Sequence, residues 1–145
     1  MANSLKCTCF DCGTVSRFPA DKITDNPKCG KCGSWLITGK VAEVDLNTLQ
    51  KAAKMDDIPL VVDFWAPWCG PCRMMAPQFS MAAEKMKGEV RYVKINTEEH
   101  QKAGQIYNIR GIPTMALFKG GREKGRKSGA MQSPQIQTWV KGVAG

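Results

Sequence analysis

The 145-residue sequence has no uninterrupted apolar run approaching the roughly 18 residues that a membrane span requires, so no membrane anchor is expected. It opens on MANSLK (Met1–Lys6), with neither the apolar stretch nor the small-residue cleavage pattern of an export signal, and a reducing, cytoplasmic setting is predicted. Histidine is almost missing: His100 is the single one, and Arg73 stands where a haem-attaching C-x-x-C-H would need another. Aromatic residues are absent from the basic stretch KGGREKGRKSG (Lys119–Gly129). With no rings to stack on bases, that stretch reads as a solvated hairpin tip rather than a grip on nucleic acid.

The formal charge of +8 divides into +3 for residues 1–40, with six Lys/Arg and three Asp/Glu, and +5 for residues 41–145, with fifteen and ten. Four thiolates on one Zn²⁺ would leave the first segment near +1, a weak footprint for nucleic acid. Five of the seven cysteines lie in that segment, with four glycines, two prolines and few aliphatic runs. About 40 residues bury too little apolar surface to offset chain entropy, so the segment needs a metal or disulfides.

After residue 40 short apolar runs alternate with amphipathic stretches, which predicts an α/β domain. KVAEV (Lys40–Val44), LVVDFW (Leu60–Trp65), VRYVKIN (Val90–Asn96) and TMALF (Thr114–Phe118) read as strands, LVVDFW being apolar on both parities and hence central. Helices are expected over Leu46–Ala53, from Cys72 to Gly88 with a kink at Pro77, over Glu98–Tyr107, and from Ser133 with Pro134 in its first position. A hairpin through Gly120 and Gly121 would pair TMALF with the segment near Gly125–Ala130. Met74, Met75, Met81 and Met86 are assigned to core packing. Two domains are expected, residues 1–38 and 41–145.

Cys9-x2-Cys12 and Cys29-x2-Cys32, sixteen residues apart, have the spacing of a Cys₄ zinc site holding one structural Zn²⁺ per chain. Gly13 and Gly33 permit the tight turns that aim amides at the sulfurs. Two disulfides or four free thiols are the alternative. Cys7-x4-Cys12 satisfies a looser knuckle, but the shorter spacer favours Cys9 and leaves Cys7 as a spare thiol.

Cys69 and Cys72 have no second doublet, so they supply only half of a structural metal site. Thiol–disulfide chemistry remains. Between a buried strand and a helix, Cys69 would sit at the helix N-terminus, where free amides and the dipole favour a thiolate; Cys72, one turn on, could attack the resulting mixed disulfide. Gly70 leaves the sulfur accessible and Pro71 presets the first turn.

WAPWCGPC (Trp65–Cys72) on a strand-to-helix turn, with GIPT (Gly111–Thr114) before a later strand, closely resembles thioredoxin over residues 41–145. With the Cys₄ segment, the whole chain resembles the bacterial zinc-binding thioredoxins of the thioredoxin-2 type, except for the extra Cys7. The resemblance implies a thioredoxin fold, a central mixed β-sheet flanked by helices, behind a small zinc-ribbon-like N-terminal domain. It implies a protein-disulfide reductase with a redox-active disulfide and no organic cofactor, recharged by an NADPH-dependent flavoprotein thioredoxin reductase and acting on disulfide-containing target proteins. Asp63 matches the family's buried carboxylate, which assists proton transfer at the resolving cysteine; its apolar neighbours favour burial over a half-exposed strand-end acid. Lys94 matches the lysine near that acid, although the sequence alone equally suits a surface lysine. Pro113 matches the family's cis-proline, beside which Ile112 would present its backbone to substrate, and Trp68, Gly111, Gly129 and Ala130 would complete an apolar contact surface. Two rival functions stand beside this one: a zinc-ribbon module binding nucleic acid or protein on a thioredoxin-like scaffold, and an oxidase or isomerase of an oxidising compartment.

Overall fold

The computed structural model describes residues 3–145 and contains two β-sheets. The first is an antiparallel pair, β1 (Ser4–Thr8) and β2 (Val15–Pro19). The second has five strands: β3 (Ala42–Glu43), β4 (Leu60–Trp65), β5 (Arg91–Asn96), β6 (Thr114–Lys119) and β7 (Arg122–Ser128), in the spatial order β3-β5-β4-β6-β7. β3, β5 and β4 run parallel, while β6 and β7 are antiparallel to their neighbours, so the sheet is mixed and β4 is its centre. Helices α1 (Leu46–Met55), α2 (Gly70–Lys85), α3 (Gln101–Ile106) and α4 (Ser133–Ala144) complete it.

β4 coincides with LVVDFW because both of its faces are covered. Val62 and Phe64 join Val93, Ile95, Ala116 and Leu49 in one core layer, and Val61 joins Phe79, Tyr92, Met115, Leu117 and Ile136 in the other. α1 starts where the Asp45 carboxylate accepts the Thr48 amide at 2.8 Å, which satisfies one of the free N–H groups of the first turn.

Several sequence expectations shift. β3 is only two residues long, since Val44 already bonds Lys94 outside the strand and Asp45 then caps α1. α3 begins at Gln101 rather than Glu98, because the Asn96 side chain accepts the Glu98 and Glu99 amides and holds a turn there. α4 begins at Ser133 as expected, but its cap is Gln132, through a reciprocal pair with Gln135, which puts Pro134 in the second position rather than the first. α2 runs from Gly70 through Pro77 to Lys85, ahead of Gly88, whose φ of +87° forms the following turn. Met74 and Met81 are exposed rather than core: Met75, Phe79, Ala82 and Met86 form the inward stripe at helical spacing, and positions 74 and 81 fall outside it.

The N-terminal segment is two near-identical knuckles. Cys9 N–H bonds Thr14 O and Gly13 N–H bonds Cys9 O; Cys29 N–H bonds Ser34 O and Gly33 N–H bonds Cys29 O. Gly13 and Gly33 adopt φ of +78° and +79°, which only glycine takes without cost. Its small core of Phe18, Leu36, Ile37 and three cysteines also includes Ile58 from the loop before β4. A buried polar latch fastens it there. The Asp56 carboxylate accepts the Thr8 amide at 2.8 Å and the Thr8 hydroxyl at 2.7 Å, and it pairs with Arg91 at 2.9 Å. Arg91 also donates to Thr8 O and lies 3.7 Å from the centre of the Phe10 ring. The latch therefore sits at the starting end of β4 and β5, where Leu60 pairs with Arg91.

Candidate functional site

β4 ends at Trp65, and the chain turns into α2 with Cys69 as its N-cap. Cys69 and Cys72 are joined in a disulfide with Cα atoms 5.2 Å apart. The Cys72 amide donates to the Cys69 sulfur at 3.2 Å, one of the free N–H groups at the helix start. The same amide would stabilise a thiolate on Cys69 once the bond is reduced. Cys69 is less accessible than expected, 4% exposed, because its sulfur lies against the Ile112 carbonyl at 3.8 Å.

Ile112 and Pro113 are joined by a cis peptide bond and precede β6. Around the disulfide, Trp68 is 66% exposed, and Pro71, Gly111, Gly129 and Ala130 are also exposed. Gly70 and Ile112 are half-buried and Pro113 is buried. Gly129, at φ +98°, donates to Pro113 O at 2.9 Å, which ties the end of β7 to the proline loop. Trp68 is thus a surface ring beside a nearly covered disulfide, not core.

Asp63 sits mid-β4 on the α2 side, 3% exposed. It shares a cavity of about 70 Å³ with Cys72, Arg73, Trp65, Ser80 and Lys94. Burial pushes its carboxyl up to about 7, against the pull of the Lys94 ammonium. Among the described residues, Asp63 Oδ1 and Trp65 Nε1 are buried without a hydrogen-bond partner. An acid that exchanges its proton near neutrality therefore faces the same cavity as Cys72. Lys94, half-buried, lies 3.7 Å from Glu43 and 4.9 Å from the centre of the Trp65 ring.

The second cysteine group is separate. The sulfurs of Cys9, Cys12, Cys29 and Cys32 all lie within 4.8 Å of one another, with Cys9–Cys32 and Cys12–Cys29 at 3.6 Å. A tetrahedral ion with Zn–S bonds of about 2.3 Å sets sulfurs roughly 3.8 Å apart, so the four are arranged to hold a metal. The Lys31 amide reaches Cys29 at 3.4 Å, and the Cys32 and Lys31 backbone groups with the Ser16 hydroxyl bring the Cys29 thiol down to about 6. Cys7 stands outside the cluster, fully buried in β1 and pushed up to about 12 by that burial, which keeps it a neutral thiol.

The thioredoxin family model matches residues 40–142, and a zinc-ribbon model described as thioredoxin 2, N-terminal, matches residues 8–34. The chain belongs to the thioredoxin family. Thioredoxins are thiol–disulfide oxidoreductases, and the chain is an enzyme of that class. It is 36% identical over 132 residues to thioredoxin C-3 of Corynebacterium nephridii, an alignment covering 91% of this chain and 90% of the relative. It is 43% identical over 90 residues to thioredoxin 1 of a Nostoc species, covering 62% and 84%. The crystal structure of chloroplastic thioredoxin z superposes with a TM-score of 0.67 at 34% identity, over 73% of this chain and 96% of that one. The mixed sheet, its helices and the ribbon ahead of it are thus the family's architecture. Sequence reading missed the Thr8–Asp56–Arg91 latch. Its one local signal was the Asp56–Asp57 pair just past α1, where the helix dipole disfavours acids.

Proposed function

We propose that the chain is a protein-disulfide reductase whose electrons pass through the C-G-P-C dithiol. Reduced Cys69, as thiolate, attacks a target disulfide; one target sulfur leaves as thiolate and the other stays bonded to Cys69. Cys72 then loses its proton to Asp63 and attacks Cys69, which forms the Cys69–Cys72 disulfide and releases the second target sulfur. Two electrons have moved from the dithiol to the target. The disulfide is returned to the dithiol by a flavoprotein thioredoxin reductase, and the setting is the reducing cytoplasm.

Target segments would lie along Ile112 and Pro113 in extended form, with Trp68, Gly70, Pro71, Gly111, Gly129 and Ala130 around them. Cys9, Cys12, Cys29 and Cys32 would hold one Zn²⁺, which supplies a cross-link between the two knuckles. Soft thiolate donors in a reducing compartment favour zinc. One observation carries the reading: a helix-capping disulfide shares a cavity with a buried acid poised near neutrality. Insulin-disulfide reduction with a Cys72→Ser variant tests it. The variant should lose turnover and accumulate mixed disulfides through Cys69, while Cys69→Ser should form none. Adduct formation by Cys69→Ser, or turnover by Cys72→Ser, refutes the assignment.

A further inference from the structure

Three charged side chains form a row across the sheet. In the parallel register Glu43 of β3 pairs with Lys94 of β5, and Lys94 pairs with Asp63 of β4, so all three project from one face, the one covered by α2. Asp63 is buried without a partner for Oδ1 among the described residues, whereas the Lys94 ammonium stands 3.7 Å from Glu43 Oε1. The cation whose charge acts on the buried acid is thus engaged by another acid further out.

We propose that Glu43 is a positioning residue for the dithiol chemistry: it holds the Lys94 ammonium at the sheet edge and so governs the protonation of Asp63. This inference rests on the reading of Asp63 as the proton acceptor for Cys72 only where it is carried through to rate.

Lysine suits such a relay because its ammonium is a point charge on a flexible four-carbon stem. Over the Trp65 ring it can swing toward either acid. With Glu43 in place the swing is biased outward, and Asp63 keeps its proton up to neutral pH; without Glu43 the charge is free to favour the Asp63 carboxylate. The other groups facing Asp63 leave Lys94 as the adjustable one. α2 contributes Cys72 and Arg73 to the cavity, β6 presents the uncharged Met115 opposite Asp63, and Lys127 of β7 lies beyond Met115. Lys94 is 34% exposed and Glu43 47%, so the pair contributes little to stability, and its function is in where the charge stands.

The test is a ¹³C-carboxyl NMR titration of Asp63 in the full-length oxidised protein, for the wild type, Glu43→Gln, Lys94→Gln and the double variant. Glu43→Gln should lower the Asp63 midpoint by about half a pH unit, and Lys94→Gln should raise it. In the Lys94→Gln background, the Glu43→Gln change should shrink to less than half its size, the coupling expected of a residue acting through another. An unmoved midpoint in Glu43→Gln, or an equal shift with and without Lys94, overturns the proposal. The resolving-step rate against pH is read on the same variants. If Asp63 is the base, Glu43→Gln gains about twofold at a pH just below 7. A midpoint that moves while the rate profile stays fixed upholds the Glu43–Lys94 relay and overturns the base reading of Asp63.

Discussion

Replacing Asp63 by Asn should make the protein more stable at pH 8 and no more stable at pH 4. The folded carboxyl titrates at about 7 and the ordinary value is near 3.8, the rise being due to burial. Between those values the folded chain holds a proton that the unfolded chain has released. Stability from this group is therefore complete below about pH 4, falls as pH rises, and is gone above about pH 7. At about 1.4 kcal/mol per pH unit, the loss over roughly three units is about 4 kcal/mol. Asn keeps the shape and removes the titration, although an uncompensated buried amide costs about 1–3 kcal/mol at every pH. The variant-minus-wild-type difference in unfolding free energy should then climb by about 3–4 kcal/mol from pH 4.5 to pH 8. Urea unfolding of the oxidised protein at several pH values measures it, and pH effects on the ribbon cysteines cancel in the difference. A difference that stays flat across that range refutes the buried-acid argument.

Asp56→Ala leaves the Arg91 guanidinium buried without its counter-ion, and should cost about 3–5 kcal/mol, whereas Asp56→Leu with Arg91→Met should cost far less. Thermal melts of both variants, with hydrogen exchange at the Thr8 amide, check this. Cys9→Ser should lose bound zinc, and Cys7→Ala should keep it, by metal analysis of the purified proteins. Trp68→Ala should raise KM for protein disulfides several-fold while reduction of a small aromatic disulfide changes little, since only the larger substrate covers the exposed ring.

The parts of the fold legible in the sequence were those with a local cause. β4 was readable to the residue because a strand covered on both faces has no polar parity, and the knuckles were readable because cysteine pairs with a following glycine are rare by accident. A boundary failed where one side chain redirected the backbone, as Asn96 delays α3. The latch was invisible for a different reason: Thr8 is 48 residues from Asp56 and 83 from Arg91, so no pattern along the chain links them. Within the candidate site, the dithiol and Asp63 could be placed by motif, but the outward hold on Lys94 depends on strand order, which sets β3 beside β5. The covering of Cys69 likewise comes from the proline loop, 43 residues away.

The latch lies where β4 and β5 begin, and the dithiol follows where β4 ends. Six strand residues at about 3.3 Å each put the better part of 20 Å of sheet between the latch and the dithiol. Disulfide exchange demands that sulfurs touch, and the ribbon cysteines cluster with one another while the redox pair is joined to itself. One chain thereby carries six chemically similar cysteines in two groups, four arranged for a metal and two joined as a disulfide.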